Sequence, residues 1–232
     1  MSPILANAAY DFLVRGGPIM IPILLCCLMA VVVILERSFW WRQHSRRSSE
    51  RQLERVFAAL GAGRFDEARE LSQGSDDPFL ATVHEGIVHA HSSLLGAMQL
   101  RASDELEKAE ARLWILSTFI TLAPLLGLLG TVIGIMGSFS FVGQGEIAAI
   151  KLGSGIGEAL IATAFGLGIA MLCLLPYNYF NRRLGTLRAR LERSINHAEL
   201  LVEAAKHHGH DLEDFSRRRA LQAAGDASRE AL

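Results

Sequence analysis

Cysteine is scarce in this chain, net charge is nearly absent, and long stretches carry no charge at all. Each shortage excludes something. The three cysteines, Cys26, Cys27 and Cys173, all lie inside apolar stretches. That pattern excludes a disulfide framework or a cysteine metal site and fits small buried hydrophobes. A net charge of −1 leaves no basic surplus, so nothing points to nucleic acid. No strand alternation of any strength appears, so the chain reads as all-helical. There is no nucleophile–base set, no metal-ligand spacing and no phosphate loop, and with them goes any enzyme signature.

The missing charge is concentrated in three runs. Gly16–Leu35 has 20 residues without charge, Leu113–Gly145 has 33, and 23 separate Glu158 from Arg182. A bilayer core needs roughly 20 helical residues. Each run is long enough, and the second exceeds a span, which predicts tilt or extension. Asp11 and a single Arg15 precede the first run, and "ERSFWW" follows it. A cleaved signal peptide needs a basic cluster before and small residues after, so this run is expected to stay as an anchor.

Arginines set the expected orientation. Arg37, Arg42, Arg46, Arg47, Arg51 and Arg55 follow the first run, and Arg182, Arg183, Arg188, Arg190 and Arg193 follow the third. The positive-inside rule places both flanks in the cytoplasm, with Trp40 and Trp41 as interfacial anchors. The expected organisation is a periplasmic amino terminus (1–15), span one (16–35), a cytoplasmic helical region (36–112), span two (113–142), a periplasmic turn (143–154), span three (155–178), a cytoplasmic helical extension (179–208) and a polar tail (209–232). Within 49–73, "GAG" separates two short helices, and Pro78 opens another that runs to about Ala90. No glycine or proline falls between Ala97 and Ala123, which predicts one long second helix reaching Val142. Leu184, Leu187, Leu191 and Ile195 carry the third helix inward. The last stretch is expected to be loosely ordered. Its neighbour "HHGH" (His207, His208, His210) lacks acids or cysteines and reads as a solvated bend rather than a metal site.

The spans also carry small and polar residues. Gly127, Thr131, Gly134 and Ser138 recur on one helical face, as do Ala162, Gly166 and Ala170 in the third span. Small residues let membrane helices approach closely. Close packing accounts for the glycines without needing Thr131. Gly153 and Gly157 form a GxxxG just before the third span. Glu158 stands at the outer end of that span. An acid there is either a first-turn interfacial group or a titrating group in a protein-lined cavity. Thr163 lies about 140° around an ideal helix from Glu158, so either the helix is locally unwound or the two serve different neighbours. One acid per chain fits a symmetric oligomer that supplies several.

On these residues the chain resembles a known family. "APLLGLLGTVIGIMGSF", "GIGEALIATAFGLGIA…YN", "ILER" and "AGRFDEARELSQ…DDP" are similar to the MotA/TolQ/ExbB proton-channel family, in its three-span ExbB/TolQ branch. The resemblance implies an all-α membrane protein with long second and third helices, assembled as a homopentameric ring in the bacterial inner membrane among its lipids. It implies a pore around the helix of a single-span ExbD/TolR-like partner, whose aspartate carries protons, and work passed to a TonB/TolA-like protein. The coupling ion would be H+, with no other cofactor. Thr131, Glu158 and Thr163 match the family's pore-facing polar positions. Two positions depart from the pattern: Leu172 stands where a proline is usual, with Pro176 beside Tyr177 instead, and Lys151 adds a charge. The competing expectation is a structural membrane scaffold whose small residues only pack helices.

Overall fold

A computed structural model describes residues 16–47, 49–140 and 146–230. Eight helices and no strand occur among the described residues: α1 (Met20–Arg47), α2 (Glu50–Gly61), α3 (Phe65–Ser72), α4 (Pro78–Val88), α5 (Ala90–Glu110), α6 (Leu113–Phe139), α7 (Glu146–His207) and α8 (Leu212–Glu230). Stretches within Met20–His44, Ala90–Phe139 and Leu152–His207 are long and apolar enough to cross a membrane. The expected segment 1–15 and the tip of the turn at 143–145 lie outside the described residues. The rest of that turn is already helix, since α7 begins at Glu146.

The chain divides into two compact units. The first holds residues up to Phe39 and Arg112–Asn181; the second holds Trp40–Ala111 and Arg182–Leu232. In the first unit, α6 and α7 run antiparallel and meet through small residues. A methyl added to Gly127 would lie 2.9 Å from the Thr163 Cα and 3.0 Å from the Ala162 carbonyl. One on Gly134 would lie 3.0 Å from both the Ala159 Cβ and the Gly155 carbonyl. One on Gly166 would run into the Ala123 carbonyl, and one on Gly155 into the Ser138 hydroxyl. These are close approaches that only residues of this size permit. Large apolar side chains point the other way: Leu125, Leu128, Val132 and Ile135 are all exposed on the isolated chain, as lipid- or partner-facing positions should be.

The second unit is an ordinary helical core. Val56, Leu60, Leu80, Val83, Ile87 and Met98 are fully buried. Asp77 organises its centre. One carboxylate oxygen caps α4 by accepting from the Phe79 N–H at 2.9 Å, while the other accepts from the Ser49 N–H at 2.6 Å. Pro78 occupies the first turn, where its missing N–H costs nothing. The Ser72 hydroxyl donates to the Ala68 carbonyl at 2.8 Å, and His84 Nδ1 lies 2.9 Å from the same hydroxyl oxygen. Burial holds the His84 imidazole below its ordinary pKa, with the nearby Arg69 charge adding to the effect.

Two expectations need correction. The uninterrupted helix from Ala97 to Val142 does not form. It breaks at Ala111 and Arg112, and Arg112 adopts the left-handed conformation (φ 64°). From there its guanidinium makes an ion pair with Glu36. The last stretch is not loose either. It forms α8, with Leu212 and Ser216 buried. The Ser216 hydroxyl donates to the Val88 carbonyl at 2.6 Å, His91 Nδ1 lies 2.9 Å from it, and Arg219 pairs with Asp66. A polar-looking sequence hid one narrow docking face.

Two measurements check this packing. Gly166→Ala should lower stability by about 1–3 kcal/mol, the usual cost of overpacking. Gly168→Ala has open space within the chain and should cost nothing or gain up to about 1 kcal/mol in helix propensity; thermal unfolding in detergent compares the two. The His84 effect has a sign. Because its folded pKa is depressed, its stabilising share is complete above about pH 6.5 and erodes as pH falls from there through the folded value. Unfolding midpoints measured from pH 7.5 down to 5.5 should fall less steeply in His84→Gln than in the parent chain.

Candidate functional site

The polar residues of the spans separate into different environments. Thr163, half-buried on α7, donates its hydroxyl across the helix pair to the Gly127 carbonyl at 2.9 Å. The bond is possible because Gly127 lacks the Cβ that would otherwise fill the gap. Thr131 turns back on its own helix. Its hydroxyl donates to the Leu128 carbonyl at 2.6 Å, and the residue is half-exposed at the margin of the packed face. Glu158 is half-buried. Its carboxylate lies against the Cα of Gly17, in the turn that leads into α1.

Within one chain each of the three therefore has its own neighbour: the Leu128 carbonyl for Thr131, Gly17 for Glu158 and the Gly127 carbonyl for Thr163. About 100° per residue separates helical neighbours, so a rotation that aims Thr163 at α6 aims Glu158 elsewhere. Among the packing residues, Gly127, Gly134, Ser138, Ala162 and Gly166 all sit in the α6–α7 seam, and Ala170 is half-buried beyond it. Ser138 donates to the Gly134 carbonyl at 2.8 Å and faces Gly155. The GxxxG pair behaves differently from the expectation of close packing: nothing lies within 4 Å of a methyl built on Gly153 or Gly157.

Sequence reasoning missed three members of this region. Gly130 belongs to the seam, where its added methyl would lie 2.7 Å from the Ala162 Cβ, and so does Gly155. Stepping by fours from Gly127 selects Thr131; the alternative step of three selects Gly130, and only packing decides between them. Gly17 is the third. "GGP" is a visible turn signal, but its meeting with Glu158 is a tertiary fact. The histidines of "HHGH" go to separate neighbours: His207 to Glu203 (3.6 Å), His208 to the Ala204 carbonyl (2.7 Å) and His210 to the face of Gly63. No group of three or more metal-ligand side chains gathers among the described residues.

Comparison with known proteins places this architecture. The chain is 40% identical over 134 residues to the Tol-Pal system protein TolQ of Pseudomonas aeruginosa, covering 56% of this chain and 52% of that one. It is 38% identical over 92 residues to TolQ of Haemophilus influenzae, covering 39% and 40%. It is 34% identical over 137 residues to the biopolymer transport protein ExbB of Salmonella typhimurium, covering 57% and 52%. The chain thus spans about half the length of the curated relatives it matches, or less. Three apolar helices and these relatives make it a multi-pass membrane protein. Residues 72–193 match the description of one family, and on that match the chain belongs to the MotA/TolQ/ExbB proton channel family.

Proposed function

We propose that this chain is a proton-channel and motor subunit of the ExbB/TolQ kind. Five copies form a pore in the inner membrane around an ExbD/TolR-like single-span partner. Proton flow through that complex drives energy transduction toward the outer membrane by way of a TonB/TolA-like protein. The amino terminus is periplasmic and the carboxyl terminus cytoplasmic. The observation that carries the reading is Glu158. It is a lone half-buried acid on an otherwise apolar span, in a chain of the proton channel family. An acid within a span is costly and marks ion pathways by default. Moving one charge through 100 mV releases about 2.3 kcal/mol, so a few protons suffice to shift a packed interface. Thr131, half-exposed on α6, is the second polar group in the pathway; Thr163 contributes from its place beside Gly127.

A structural scaffold is the second reading, and one observation favours it. The Thr163 hydroxyl is already committed to a backbone carbonyl between α6 and α7, which is a packing role. The two readings diverge on substitution. With the complex assembled, Glu158→Ala should reduce partner-dependent energised uptake or envelope function by about a hundredfold, the scale set by a positioned proton-transfer group. Thr131→Val should cause a smaller loss. Normal function in both assembled variants selects the scaffold. Stoichiometry is an independent check: native mass spectrometry in detergent should give five copies of the chain, and a stable monomer or dimer would sink the pore.

A further inference from the structure

We propose that Gly17 is a positioning residue for Glu158: the missing side chain of Gly17 is the seat in which the Glu158 carboxylate rests. The inference deepens the coupling role of Glu158 and rests on that reading. Gly17 has a φ of +69°, in the left-handed region that side chains disfavour. Its carbonyl accepts from the Met20 N–H at 3.0 Å, and the Pro18 carbonyl accepts from the Ile21 N–H at 3.2 Å. The Gly16–Gly17–Pro18 turn is thereby locked to the head of α1 and presents a bare Cα toward α7. A methyl placed there would coincide with the Glu158 carboxylate, with the carboxyl carbon 2.5 Å and Cγ 3.2 Å away. The positive φ favours glycine at this position, and any side chain there would move the carboxylate from where it rests.

The neighbouring glycine sets the contrast. A methyl on Gly16 would meet the flexible Met20 side chain and the Ile161 Cγ2, not Glu158. Of the two glycines in the turn, Gly17 is the one whose bare Cα the carboxylate touches. The seat fixes where the acid waits when it is not serving its partner. An occupied seat keeps the carboxylate on the α1 side of α7, away from the Thr163–Gly127 bond. Displacing it leaves the acid present and correctly spaced in sequence but misplaced by the width of a methyl group.

The test uses the full-length chain in its membrane complex. Gly17→Ala and Gly16→Ala are made in the parent chain, and Gly17→Ala is also made in Glu158→Gln and Glu158→Ala. Three readouts are taken: melting temperature, energised function, and the rate at which a hydrophobic carbodiimide labels Glu158, followed by mass spectrometry. Gly17→Ala should cut energised function by about tenfold or more, as misplacement of a working group does. It should also change the labelling rate severalfold, while Gly16→Ala leaves labelling unchanged. The melting-temperature loss caused by Gly17→Ala should persist in the Glu158→Gln background, whose amide has the shape of the carboxylate. It should shrink in the Glu158→Ala background, where only backbone strain is left. That second background also restores folding if the single variant is too unstable to study. Equal losses in all three backgrounds, with unchanged labelling, overturn the seat. If Glu158→Ala functions normally while the background dependence remains, the seat stands and the coupling role falls.

Discussion

The approach of α6 to α7 is the constraint on which the rest of the first unit depends. Inside a bilayer, apolar side chains gain little by leaving lipid for protein, so helix association relies on close packing and hydrogen bonds. The seam supplies both. Ala123 faces Gly166, Gly127 faces Ala162 and Thr163, and Gly134 faces Ala159 and Gly155. All of these but Thr163 are glycine or alanine, and Thr163 adds the cross-helix hydrogen bond. Such contacts tolerate almost no rotation of either helix. With α7 fixed about its axis, the direction of every other residue on it follows. The bearing of Glu158 toward Gly17 is thus set several residues away, by where Thr163 must point. The acid takes its position from a packing face made of small residues and from a turn that makes room for it.

Much of this was legible in the sequence for one reason: the bilayer imposes a length and a polarity that few other environments do. Three charge-free runs forced three spanning helices. The glycine break near 61–63 and the Asp77–Pro78 start separated the short helices. What failed did so where two local signals were equivalent. Gly130 and Thr131 are both one turn from Gly127, and periodicity alone does not choose between them. Gly153–Gly157 and the seam glycines look alike as strings, yet only the latter meet another helix within the chain. The site was half legible. Glu158 stands out by its charge, but its neighbour Gly17 is more than a hundred residues distant in sequence and has no side chain with which to announce itself.

The break at Ala111–Arg112 shows why a hydrophobic pattern hides some corners. On α5 the buried positions include Met98, Ala102, Glu105 and Ala109; on α6 they continue as Leu113, Leu116 and Phe119. The steps of three and four pass through the corner without a change of phase. A reader of periodicity sees one helix, because the burial pattern belongs to one helix. Nothing local demands the turn: the flanking residues are good helix formers and neither glycine nor proline intervenes.

What Arg112 does at that corner can be weighed. A left-handed conformation costs a residue with a Cβ roughly 1–2 kcal/mol, and a glycine there would avoid it. An ion pair as open as this one, with the Arg112 side chain 58% exposed, contributes about 0–1 kcal/mol. The pair by itself does not offset the strain. Glycine, however, would leave Glu36 with Arg37 alone where the apolar run of α1 ends, and an acid there needs its partners close. Two guanidinium groups, those of Arg112 and Arg37, reach the Glu36 carboxylate. The arginine is therefore better understood as a charge carried to Glu36 than as a turn former. The left-handed backbone is tolerated because the residue that adopts it brings a guanidinium, and a glycine would bring none.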